Sequence, residues 1–283
     1  IVVVNNTVNS VSVYRNTGTP GTIAFAPVVN LGTALNPFHS AIGDADGDGK
    51  ADLFVSNNFS NSVSIFRNTG TPGTIGFGAA VNINTGAATS PYGILLADLD
   101  GDGKLDASVA VYNSGTATTN GLVYKNASTP GALSFSLAAV LSGGLNEAYF
   151  MTAGDINGDG KPDVAFALAN QNKTKLYQNY STPGVFNLPE AGQASSFSPY
   201  ATGLGDLDGD NRPDLINSFF TANLVQVLPN RSGLPGITSF QPAIAGTGTT
   251  VTITGNDFTG ASSVSFGGVA ASSFTVVNST TIT

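Results

Sequence analysis

Residues 44–52 read DADGDGKAD, with aspartates at the first, third, fifth and ninth places of a nine-residue run. The run returns without gaps as DLDGDGKLD (98–106), DINGDGKPD (155–163) and DLDGDNRPD (206–214). Of the 18 acidic residues in the chain, 15 lie in these four runs, and only Glu147, Glu190 and Asp257 fall outside. A chain this sparing with charge is placing its carboxylates for one task.

The flanks repeat as well, which asks for a repeat architecture before any other reading. Residues 1–16 align with LFVSNNFSNSVSIFRN at 53–68, and RNTGTPGTIAF (15–25) recurs as RNTGTPGTIGF (67–77), KNASTPGALSF (125–135) and QNYSTPGVF (178–186). A looser fifth copy is PNRSGLPGITSF (229–240). Because residue 1 matches the place just after an acidic run, the spacing implies a chain that starts inside a repeat of something longer.

Between the acidic runs, ADLFVSNN alternates partly, SVSIFRN alternates cleanly, TGTPG is a turn and IGFGAAVNI closes the unit. About four short strands in roughly fifty residues predict the blades of a β-propeller, each burying its faces against its neighbours. A parallel β-helix would have a much shorter period, and no segment shows helical apolar spacing. The expected fold is therefore all-β: a propeller of four-stranded blades, about five repeats long, over residues 1–233.

Composition agrees. Hydrophobic residues make up 41% of 283, enough for a sizeable core. The net charge of −8, with Lys and Arg dispersed, argues against a nucleic-acid partner. Without cysteine there is neither a disulfide framework nor a thiolate metal site. No apolar run is long enough for membrane insertion.

The acidic runs offer only hard oxygens. Counting Asp44 as position 1, side-chain oxygens stand at positions 1, 3, 5 and 9, glycine takes position 6, and position 7 offers a backbone carbonyl. The candidate ligands are Asp44, Asp46, Asp48, Lys50 and Asp52 in the first run; Asp98, Asp100, Asp102, Lys104 and Asp106 in the second; Asp155, Asn157, Asp159, Lys161 and Asp163 in the third; and Asp206, Asp208, Asp210, Arg212 and Asp214 in the fourth. The lysines and the arginine enter through their carbonyls. Several carboxylates with no nitrogen or sulfur favour Ca2+ over Mg2+ or Zn2+.

An EF-hand would need Glu at position 12, where Val55, Val109, Phe166 and Asn217 stand. Two carboxylates about 4 Å apart at an effective dielectric near 20 repel by about 4 kcal/mol, more than the roughly 1 kcal/mol an ordinary hydrogen bond returns. About four Ca2+ ions would also answer the net charge of −8. At position 6 the sharp turn calls for positive φ, which glycine tolerates and which Asn211 of the fourth run tolerates next best. Asn157 keeps an oxygen but loses a charge, predicting a weaker third site.

One equivalent loop per repeat reads as a structural staple, since a catalytic site is ordinarily a single asymmetric constellation. His39 has no Ser or Asp partner by motif, and the chain is expected not to be an enzyme. Phe38, Tyr92, Tyr149 and Tyr200 open the repeats, and blade-to-blade packing is the expected role of their rings over stacking on sugars.

These loops, with FRNTG (66–70) and FGAA (77–80) between them, resemble the FG-GAP or VCBS repeats of integrin-type propellers over about residues 1 to 233. The resemblance implies Ca2+ ligation by the loop oxygens named above. Family propellers often have seven blades, a count this chain does not reach. Residues 234–283 lose the acidic loop, and GTTVTITGNDFTGASSVSFGG (248–268) resembles an IPT/TIG domain, an immunoglobulin-like β-sandwich of which only part is present. Together the two resemblances imply a secreted or cell-surface, bacterial, multidomain protein. Its propeller is expected to serve as a non-catalytic adhesion or binding scaffold for an extracellular protein or carbohydrate. The alternative is an accessory carbohydrate-binding part of a secreted polysaccharide-degrading enzyme.

Overall fold

Short runs rich in Val, Ile and Phe, punctuated by Asn, Gly and Pro, become strands because β-branched and aromatic side chains pack well on a pleated surface. The computed structural model describes residues 1–145, 149–195, 198–219, 222–231 and 235–283; Glu147, singled out above, lies outside the described residues. Two units separate by their contacts, Ile1–Asn230 and Arg231–Thr283.

The first unit is a series of antiparallel sheets in chain order. Sheet one holds β1 (Val2–Asn5), β2 (Ser10–Val13) and β3 (Val29–Gly32). Sheet two runs β4 (Pro37–Gly43), β5 (Asp52–Asn57), β6 (Ser62–Phe66) and β7 (Val81–Asn84). Sheet three runs β8 (Thr89–Ala97), β9 (Asp106–Asn113), β10 (Thr118–Asn126) and β11 (Phe135–Leu145). Sheet four runs β12 (Met151–Gly154), β13 (Asp163–Leu168), β14 (Lys173–Tyr177) and β15 (Glu190–Ser195). Sheet five holds β16 (Pro199–Gly205), β17 (Asp214–Phe219) and β18 (Leu224–Leu228). Each sheet is an up-and-down meander, the blade of a propeller; the all-β architecture expected from the sequence is present, with four strands in sheets two, three and four and three in sheets one and five.

The hydrophobic core lies between blades, in layers. Phe54, Val63 and Ile65 of the second blade pack with Ile94, Val109, Val111 and Tyr124 of the third. Leu53, Val55 and Phe66 turn the other way, onto Val11 and Val13 of the first. A third layer joins Ala110, Val123 and Leu141 to Met151, Val164, Phe166 and Leu168. Covered on both faces, β5 and β13 are buried along their whole length, and this is why their sequences alternate only partly. Burying one such Leu, Val or Phe side chain contributes about 1.5–3 kcal/mol.

At the first strands of successive blades, the rings of Phe38, Tyr92, Tyr149 and Tyr200 meet one another. Centroids are 5.0 Å apart for Phe38 and Tyr92, 4.8 Å for Tyr92 and Tyr149, and 4.6 Å for Tyr149 and Tyr200. The first two contacts are edge-to-face, the arrangement that ring quadrupoles favour, so these aromatics pack blade to blade. Between β1 and β2, and between the second and third strands of sheets two, four and five, the chain turns through Asn9, Asn61, Asn172 and Asn223, all at positive φ. Asparagine is among the few side chains that adopt this region readily.

The second unit pairs β19 (Gly236–Gln241), β20 (Thr252–Asn256), β24 (Thr281–Ile282) and β23 (Val276–Asn278) in that order, beside a hairpin of β21 (Ser265–Phe266) and β22 (Val269–Ala270). Ile253, Phe258 and Ile282 form its core.

Candidate metal centres

Each acidic run forms the loop between the first and second strands of its blade. Its first aspartate organises the turn: Asp44 accepts the N–H of Gly47 and of Gly49, and the same contacts recur from Asp98, Asp155 and Asp206. Position 6 lies at positive φ in all four loops, as Gly49, Gly103, Gly160 and Asn211. The backbone reason for glycine, and for its replacement by asparagine, holds.

Three carboxylates converge within 4.8 Å in three of the loops: Asp44, Asp46 and Asp48; Asp98, Asp100 and Asp106; Asp206, Asp208 and Asp210. The third loop, with Asn157, forms no such group among the described residues. A donor set of hard oxygens fits a hard divalent cation, and in the fourth loop Asp206 and Asp208 are exposed while Asp210 has Arg212 at 3.9 Å.

The position 9 aspartates do something the sequence reading did not foresee. Asp52, Asp106, Asp163 and Asp214 are buried, and each accepts two backbone N–H groups, one from its own loop and one from the asparagine that ends the third strand or follows it. For Asp52 these are Ala45 at 3.0 Å and Asn68 at 2.7 Å; for Asp214, Leu207 at 3.0 Å and Asn230 at 2.8 Å. Burial raises the carboxyls of Asp52 and Asp163 and pushes Asp106 up to about 6, whereas the N–H of Asn230 heads the contacts that lower Asp214. The position 7 side chains also act locally: Lys104 and Lys161 each donate to a turn carbonyl, of Ser128 and Ser181, at 2.8 Å.

The loops are joints between blades. Asp46 Oδ2 accepts the N–H of Gly131 at 2.8 Å, from the turn of the following blade, and Asp100 Oδ2 accepts that of Gly184 at 2.8 Å. The side-chain amides of Asn126, Asn179 and Asn230 reach back to the carbonyls of Ala45, Leu99 and Ile156. A groove of about 470 Å3 runs beside the second joint, lined by Asp98, Asp100, Lys161 and Pro183 among others.

Two joints also carry a protein cation. Arg67 donates to Asp46 at 2.6 Å and to Asp48 at 2.9 Å, and Lys125 donates to Asp100 and to Asp102. Burial works against the charge on Asp46 and Asp100. The hydrogen bonds from Arg67 or Lys125 and from the following turn outweigh it, so both carboxyls sit below their ordinary range.

His39 lies outside the loops, as its position implied. Its Nδ1 accepts the N–H of Ile94 at 3.2 Å and its ring meets Phe150 edge-on, so it is a packed residue of a blade joint.

Residues 1–55, 44–109 and 155–216 match the FG-GAP-like repeat family, more than half the chain, and residues 235–283 match the IPT/TIG domain. No curated protein matches. Among solved structures, the chain is similar to the periplasmic gluconolactonase of Pseudomonas aeruginosa, at 15% identity and a TM-score of 0.46, over 89% of this chain and 72% of that one. The expectation that the chain is not an enzyme is corrected here to no statement on activity: the solved structure just named is an enzyme's, and at this likeness it argues neither for nor against an activity in this chain. The physical reason is that repetition of the loops speaks only for the loops, and the remaining surface is not covered by that argument. At this level of likeness no activity transfers to this chain.

Proposed function

This chain belongs to the FG-GAP-like repeat family, and from that premise we propose that its acidic loops take up Ca2+ and staple neighbouring blades of an extracellular-type propeller scaffold. The scaffold presents a surface for adhesion or for binding an extracellular protein or carbohydrate, in a secreted or cell-surface protein.

The observation that supports this is the place of the loops. Asp46 and Asp100 touch the turn of the next blade, so whatever neutralises their loops also fixes one blade to the next. When bound, Ca2+ supplies positive charge and oxygen coordination among carboxylates that otherwise repel. The chain's own residues do the rest: the first aspartate of each loop sets the turn, position 6 lets it close, and the buried position 9 carboxylate ties loop to strand. Extracellular calcium modules bind in the range of about 10⁻⁴–10⁻³ M, which suits a scaffold working outside the cell.

Calorimetric titration of Ca2+ into chelator-stripped protein, with thermal unfolding before and after, tests the proposal. Heat of binding with a rise in Tm is expected, since an ion at a hundredfold excess over its Kd stabilises by about 2.7 kcal/mol per site. Absence of both would leave the loops as solvated turns and remove the basis for the extracellular reading.

A further inference from the structure

The residue just before the asparagine that closes each repeat changes along the chain: Arg67, Lys125, Gln178, Pro229. The first two are cations and both point into their loops. Arg67 Nε and Nη2 bond the Oδ2 atoms of Asp46 and Asp48, and Lys125 Nζ bonds the Oδ2 atoms of Asp100 and Asp102. These Oδ2 atoms belong to positions 3 and 5, and the Oδ1 atoms of the same carboxylates accept backbone N–H groups within the loop.

The other two repeats lack a cation at this place. The third repeat pairs Gln178 with Asn157 at position 3, and the Asn157 amide donates to Asp159 Oδ2 at 3.0 Å. The fourth repeat keeps all its aspartates opposite Pro229, which has neither charge nor donor. There Arg212 pairs with Asp210 at 3.9 Å, as Lys50 does with Asp48 at 3.8 Å in the first loop.

We propose that Arg67 and Lys125 are built-in counter-cations that Ca2+ must displace from the first two loops, so that these loops bind the ion more weakly than the fourth. The inference rests on the calcium reading above and divides its sites into two classes. A guanidinium or ammonium seated on the position 3 and position 5 oxygens uses the lone pairs an ion would take and repels a second cation.

The test is the affinity of the ions bound, by calorimetric titration of Ca2+ into the chelator-stripped protein and its variants. The natural chain is expected to bind with unequal affinities, with one site tightened in Arg67→Gln and one in Lys125→Gln. Pro229→Lys gives the converse variant, which brings a cation to the fourth loop without touching the first two and is expected to weaken binding of the ion held there. Thermal unfolding in chelator identifies any variant that fails to fold, and the remaining variants then carry the test. Ions bound by the natural chain with no gain in affinity in either glutamine variant would overturn the counter-cation role and leave the calcium reading standing. No ion in any protein would overturn the calcium reading itself.

Discussion

The imidazole Nδ1 of His39, on the first strand of the second blade, accepts the backbone N–H of Ile94 on the first strand of the third. Only a neutral ring with its proton on Nε2 can do this, and burial lowers the pKa from its ordinary 6.5. His39 is the sole histidine, so its titration is readable without assignment.

Because the folded pKa lies below the unfolded one, the unfolded chain binds more protons as pH falls through about 6.5, and stability is lost in that direction. Asp106, raised to about 6 by burial, acts with the opposite sign over an overlapping window. The informative quantity is therefore the difference between the natural chain and His39→Gln, measured as Tm from pH 8 to pH 5. The variant is expected to be less stable at pH 8, with the gap closing towards pH 5; a gap that does not change with pH would refute the prediction.

Asn126 is buried and donates to the carbonyls of both Ala45 and Leu105 while accepting the N–H of Ser128. The side-chain amide of its counterpart Asn68 donates to Ala51, within its own loop, and accepts the N–H of Gly70. Leaving a buried group without its partner costs about 1–3 kcal/mol. Asn126→Ala is expected to lose about 2–4 kcal/mol in denaturant unfolding and Asn68→Ala about 1 kcal/mol. Equal losses would mean the contact between blades contributes nothing.

Gly93 lets β8 approach the next blade, its N–H bonding the carbonyl of Tyr149 at 2.8 Å. A Cβ there would come within 2.4 Å of that oxygen, whereas one at Gly192 would meet nothing within 4 Å. Overpacking of this kind costs about 1–3 kcal/mol. Gly93→Ala should lower Tm while Gly192→Ala leaves it unchanged or slightly raised, and similar behaviour of the two variants would contradict the close approach.

Asp52 serves the fold before it serves an ion. Asp52→Ala strands the N–H groups of Ala45 and Asn68, each costing about 1–3 kcal/mol when buried and unpaired. The loss is expected to persist in chelator. If it disappears there, the carboxylate acts only through bound metal.

The repeat, its strands and its loops were legible because each is a local pattern: an alternation, a turn dipeptide, an aspartate at every other place. Asn211 at the left-handed position of the fourth loop could be read for the same reason, since the constraint lies in its own backbone. What could not be read acts at longer range. Arg67 reaches Asp46 from 21 residues away within the second blade, where strand pairing brings them together, and Gly131 reaches it from 85, a contact set by how blades stack and not by any spacing in the chain. A signal for the asparagines was present, as Asn68, Asn126, Asn179 and Asn230 recur at one place in every repeat, but recurrence alone does not say what the amide touches. The fifth copy misled in a different way, because β19, which continues it, pairs with β20 in the second unit.

The backward reach of these asparagines sets a timetable for synthesis. Asn126 is joined to the chain 81 residues after Ala45, so at roughly 5–20 residues per second the ribosome delivers it roughly 4–16 s later. Until then the second blade can form its strands and tie its own loop, but lacks the latch from the next blade. Each blade waits for its successor, and the nascent protein is sealed one joint at a time in the order in which it is made.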